Sequence, residues 1–109
     1  MEEIIQVFTT TEKKEDAERI ARALIERKLA ACVQIMGPME STYRWQGRIE
    51  KSVEWFCFIK TTQDAYPELE KAIKENHPYE VPEIIAVPVS GGSEDYLAWL
   101  KGQVGKSET

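Results

Sequence analysis

The side chains able to do ligand or acid–base chemistry are few in this 109-residue chain and unevenly placed. Its one histidine, His77, lies in the stretch Asn-His-Pro-Tyr-Glu-Val-Pro-Glu-Ile over 76–84, where Tyr79, Glu80 and Glu83 follow closely and Pro78 and Pro82 stiffen the backbone. An imidazole with carboxylates nearby suits a divalent transition metal, which needs several converging nitrogen, sulfur or oxygen donors. His77 is therefore the first metal candidate. A second reading needs no metal. Asn76 can end a helix in the left-handed conformation, and the residue before Pro78 is pushed toward an extended backbone. Helix termination alone, however, does not demand an imidazole. The two cysteines form no Cys-x-x-Cys pair. Cys57 lies in the apolar run Trp55-Phe56-Cys57-Phe58-Ile59 and is expected in the core. Cys32, in Ala30-Ala31-Cys32-Val33, is also expected to pack and ranks behind His77 as a metal candidate.

Enzyme chemistry finds little support. No serine sits in a Gly-x-Ser-x-Gly elbow, Gly91-Gly92 lacks the rest of a phosphate-cradling loop, and Thr9-Thr10-Thr11 stands where an anion cradle with arginine would follow the first strand. No catalytic residue and no tightly bound cofactor are expected. The aromatics are more suggestive. Tyr43, Trp45, Tyr79, Tyr96 and Trp99 each join a large apolar body to a polar tip, as interface and pocket residues do. Lys60 is the lone charge closing the apolar run of 55–59. Tyr43, Trp45, Lys60, Tyr79, Glu80 and Trp99 form the expected pocket or interface set.

A net charge of −5 argues against nucleic acid, which asks for a basic stripe. No apolar run approaches the roughly 18–20 residues of a membrane span. The opening Met1-Glu2-Glu3-Ile4 lacks the basic and apolar regions of a signal peptide, so a cytoplasmic setting with free thiols is expected. The length suits one domain, placed over 1–104, with a frayed tail over 105–109. A core this small makes self-association a natural supplement.

The elements that must position these residues are legible in the patterning. Ile4–Phe8 reads as a strand, and Thr9, Thr10 and Thr11 are possible caps for a helix over 12–28 in which Ala17, Ile20, Ala21, Leu24 and Ile25 recur at helical spacing. A second strand starts at Ala30, bends at Gly37-Pro38 and runs to Trp45, and Gln46-Gly47 turns it. Val53–Thr61 is a third strand, whose unbroken apolar centre suggests burial on both faces. A second helix carries Tyr66, Leu69 and Ile73 on one side, Ile84–Val89 is a fourth strand, and Ser93 caps a third helix with Tyr96, Leu97, Leu100 and Val104 inward. The order βαββαβ plus a C-terminal helix predicts an α+β, ferredoxin-like antiparallel sheet of strand order 4-1-3-2. Pro38 and Pro88 then fall on edge strands, where proline is tolerated.

Several motifs together resemble one family. Arg27–Val33 (RKLAACV), Tyr43–Gly47 (YRWQG), Lys60-Thr61-Thr62, His77–Glu83 (HPYEVPE) and Tyr96–Leu100 (YLAWL) are similar, in order and spacing, to the CutA divalent-cation tolerance proteins. The resemblance implies a cytoplasmic homotrimer with sheets pairing across subunits, and a role in tolerance of divalent metals, copper especially. It also implies a trimer geometry like that of the PII signalling proteins. The Gln46-Gly47 turn is too short for their effector loop, but a PII-like module for a small molecule or partner protein is the alternative function. Family members with assigned copper ligands use a cysteine in strand one and two adjacent histidines before Pro-Tyr. Here Phe8 and Asn76 stand at the first two positions and only His77 matches, so weak Cu(II) binding at most is expected.

Overall fold

The computed structural model describes residues 3–105. Its elements are β1 (Ile4–Thr11), α1 (Lys14–Glu26), β2 (Cys32–Trp45), β3 (Arg48–Thr62), a 3-10 turn at Gln63–Ala65, α2 (Tyr66–Asn76), β4 (Ile85–Pro88) and α3 (Glu94–Gly102). The strands form one antiparallel sheet in the order β2-β3-β1-β4, which is the expected 4-1-3-2 order counted from the other edge. Both in-strand prolines sit where a missing N–H does least harm. Pro38 lies in the register shift between Met36 and Met39 of edge strand β2, and Pro88 ends edge strand β4.

Strand alternation divides the sheet into two unlike faces. Ile5 and Val7 of β1 and Cys57 and Ile59 of β3 point toward the helices, where they pack on Ala17, Ile20 and Leu24 of α1 and Leu69, Ala72 and Ile73 of α2. Burying each larger aliphatic contributes roughly 1.5–3 kcal/mol, which makes this layer the main source of stability. α3 closes a smaller cluster of Ile4, Leu100 and Val104, and its Ser93 cap accepts the Tyr96 N–H as expected. Tyr96 itself stays exposed and lies against Trp99 instead of turning inward.

Neither α1 nor α2 covers the opposite face, and α3 meets it at one end, through Ile4 and Val89. Phe8, Phe56 and Phe58 cluster there, with ring centroids 4.7–5.9 Å apart, next to exposed Met36, Ile85 and Val87. The expected burial of β3 on both faces is thus met on one face only within a single chain. β1 ends opposite Trp55, so Met39–Trp45 and Arg48–Glu54 continue as a two-stranded ribbon, with no third strand beside it among the described residues. Gln46 and Gly47 both adopt positive φ at its tip, as a tight two-residue hairpin requires.

Two local expectations are corrected. Thr9, Thr10 and Thr11 remain buried in β1, and the residue before α1, Lys13, makes no side-chain cap; pairing with β3 claims the threonines first. Asn76 is not left-handed. It completes α2, its amide donating to the Ala72 carbonyl and its own carbonyl accepting from Arg19 at 2.7 Å, while His77 takes the extended backbone. The expected frayed tail falls, from residue 106 on, outside the described residues.

Gly37 is required by close packing. A Cβ there would meet Trp55 Cε3 at 2.7 Å and the Glu54 carbonyl oxygen at 3.1 Å. Gly37→Ala is expected to cost about 1–3 kcal/mol, as overpacking does, measured by denaturant melts at fixed protein concentration.

Candidate functional site

The residues between α2 and β4 cross the end of β1, and their path is held by one imidazole. His77 is 8 % exposed, and its Nε2 lies 2.7 Å from the Thr10 carbonyl oxygen. The Tyr79 backbone N–H donates to its Nδ1 at 3.1 Å. An N–H can only be received by a bare nitrogen, so Nδ1 is unprotonated and Nε2 carries the hydrogen that Thr10 accepts. Burial pushes the His77 pKa below its usual value, against opposing pulls from the Thr10 carbonyl, Asp16 and Glu54. The ring is therefore a neutral bridge with both nitrogens engaged.

Tyr79 carries this order onward. Its ring lies 4.6 Å from the imidazole, centroid to centroid, and its hydroxyl donates to Glu54 Oε2 at 2.7 Å. Ser41 Oγ donates to Glu54 Oε1, also at 2.7 Å. Glu54, on β3, is only 8 % exposed. Burial, followed by the hydrogen bond and charge of Glu54, raises the Tyr79 pKa and keeps the phenol protonated. The Glu83 carboxyl is also raised, by partial loss of water and then by the Glu54 charge.

These groups border a cavity of about 700 Å³ between the β2–β3 ribbon and the 77–84 connector, with Tyr43 and Trp45 as further walls and Glu12, Glu80 and Glu83 at its margin. Four of the expected pocket residues, Tyr43, Trp45, Tyr79 and Glu80, thus come together. Lys60 does not join them. Six residues along β3 from Glu54, on the order of 20 Å, it donates to Gln34 Oε1 at 2.6 Å. Trp99 lies on α3 against Tyr96. Sequence reasoning missed Glu54, whose partners Ser41 and Tyr79 lie 13 and 25 positions away along the chain.

The two metal candidates are apart. Cys32 pairs with Lys60 in the sheet, whereas Thr10, which holds His77, pairs with Phe56, about 13 Å along β3. Among the described residues, no three His, Cys, Asp or Glu side chains converge as a metal site. Cys32 and Cys57 are free, on opposite faces of the sheet, with Cys57 buried and its thiol pushed up to about 11 by loss of water.

The same architecture recurs in known proteins. The model of the CutA1 divalent ion tolerance protein family matches residues 5–103. The chain belongs to this family. The divalent-cation tolerance protein CutA of Thermus thermophilus is 44% identical over 105 residues, spanning 96% of this chain and 100% of the relative. The crystal structure of CutA1 from Oryza sativa superposes with a TM-score of 0.93 at 41% identity, covering 96% of each chain. The chloroplastic CutA of Arabidopsis thaliana is 41% identical over 97 residues, and the match takes in 89% of this chain but 53% of that longer protein. Among the described residues, no helix is long and apolar enough to cross a membrane.

Proposed function

We propose that this CutA1-family chain acts as a cytoplasmic homotrimer in tolerance of divalent cations, copper among them, without catalysing a reaction. The observation that carries the assembly is the sheet face that α1 and α2 leave uncovered. Phe8, Phe56 and Phe58 cluster there beside exposed Met36, Ile85 and Val87, and a long ribbon projects past the sheet with its outer edge unpaired. Copies packing on that face and pairing along that edge remove both liabilities. The three-fold number and the link to metal come from the family likeness. Free cysteines on opposite faces, unable to bridge each other, suit a reducing compartment. Light scattering at micromolar concentration is expected to return three times the 12.5 kDa chain mass, and a monomer overturns the proposal.

Metal binding, on this reading, is weak. Copper at Nδ1 of His77 must displace the Tyr79 N–H, and at Nε2 the hydrogen given to Thr10. Calorimetry with Cu(II) at pH 7 is expected to show a loose saturable site that His77→Ala weakens. Binding unchanged in a folded variant removes His77 as the ligand. A second reading, a trimeric binding module for a small molecule, is favoured by the cavity around Glu54.

A further inference from the structure

We propose that the cavity beside Glu54 takes an organic ammonium ion, a cationic nitrogen attached to an apolar body. The proposal rests on the second reading above, that this cavity is a small-molecule site.

Its starting point is the state of Glu54. The carboxylate is more than nine-tenths buried, yet its two hydrogen-bond donors, Ser41 and Tyr79, are neutral. Among the described residues no lysine or arginine forms an ion pair with it, and none lines the cavity. Buried charges are ordinarily matched by an opposite charge. Each carboxylate oxygen retains a lone pair beyond the bond it already accepts. Glu12, Glu80 and Glu83 add charge of the same sign around it; the Tyr79 and Glu83 pKa values are raised first by burial and then by Glu54. A cation is what the cavity lacks.

The walls decide which kind. Tyr43, Trp45 and Tyr79 line the same space. A hydrated inorganic ion gains little from aromatic faces, whereas an alkylated or aromatic amine gains both cation–π attraction and apolar burial. The described residues also lack the converging donor set that a metal would need. A volume of about 700 Å³ falls within the roughly 300–1,000 Å³ range of small-ligand pockets.

The test is calorimetry on the assembled protein at pH 7.5 with phenethylammonium chloride, set against the uncharged 2-phenylethanol and against benzoate. One saturable site per chain is expected for the amine, with the alcohol at least about tenfold weaker, the ratio for losing one good ionic contact. Glu54→Gln, judged folded by circular dichroism and unchanged in mass, is expected to lose at least about tenfold. Because that variant also disturbs Ser41 and Tyr79, the exposed pair Glu80→Gln and Glu83→Gln provides a check that spares the buried network; together they are expected to weaken the amine about two- to fivefold. Equal affinity for amine and alcohol, or no response to either set of variants, overturns the proposal. Binding of 2-phenylethanol or benzoate in place of the amine keeps the small-molecule reading and removes the cation. No binding by any of the three, as when a neighbouring copy's basic side chain fills the cavity, removes both.

Discussion

Phe58→Asp is expected to turn the assembled protein into single chains at micromolar concentration. Phe58 stands on the sheet face that α1 and α2 leave uncovered, edge-on to both Phe8 and Phe56 at 5.9 and 4.7 Å. Within one chain that face is only half covered, so a carboxylate there still reaches water. In the proposed trimer the same position is dry, and an unpaired charge in a dry interface is among the costliest changes available. Truncating one central aromatic anchor typically costs about 2–4 kcal/mol, and the trimer repeats the loss in every subunit. Val87→Glu offers a gentler second test, because Val87 is 37 % exposed and lies on short edge strand β4. Tyr43→Asp and Trp45→Asp, out on the ribbon, are expected to weaken assembly less. Glu18→Lys, on the wet side of α1, is expected to leave the mass alone. An unchanged mass for Phe58→Asp in a folded protein removes this face from the interface.

The fold was legible because its determinants are local or combinatorial. The apolar spacing of Ala17, Ile20 and Leu24 marks α1, and those three residues are fully buried. Right-handed crossovers leave little freedom in strand order once the βαββαβ sequence of elements is read, and Pro38 and Pro88 agree with outer positions for the second and fourth strands. The unbroken run of 55–59 signalled two covered faces, and a single chain covers one of them; the other is where the assembly is proposed.

The site was less legible because its key contacts are long-range. Between Val53 and Trp55, Glu54 looks like an ordinary outward strand residue. Its burial depends on Ser41, 13 positions away, and Tyr79, 25 positions away, and neither spacing has a local signature. Residue type groups Lys60 and Trp99 with the pocket, but the length of β3 and the placement of α3 carry them elsewhere. In the sequence His77 suits either a ligand or a helix stop. Its bonds to Thr10 and Tyr79 supply a third role, tying the end of β1 to the connector.

That role makes His77→Ala the second large expected effect. Removing the ring leaves the Thr10 carbonyl and the Tyr79 N–H without their partner and takes away the surface on which the Tyr79 ring rests. Each orphaned buried group costs about 1–3 kcal/mol, so a total near 2–4 kcal/mol is expected in denaturant melts at fixed protein concentration. The pH dependence separates this bridge from mere loss of volume. Burial holds the folded imidazole's pKa below its usual value, so the unfolded chain, near about 6.5, binds the proton more readily. Stability linked to His77 is then fully present above about pH 6.5 and is lost as the pH falls toward the folded value. The incoming proton lands on Nδ1, the atom that now accepts the Tyr79 N–H, so that bond is broken and the connector loosens. Between pH 7.5 and 5.5, above the ordinary carboxylate range, the parent protein is expected to lose stability while His77→Ala loses distinctly less. Parallel pH profiles for the two proteins would mean that the imidazole fills space between β1 and the connector and contributes no titrating bond.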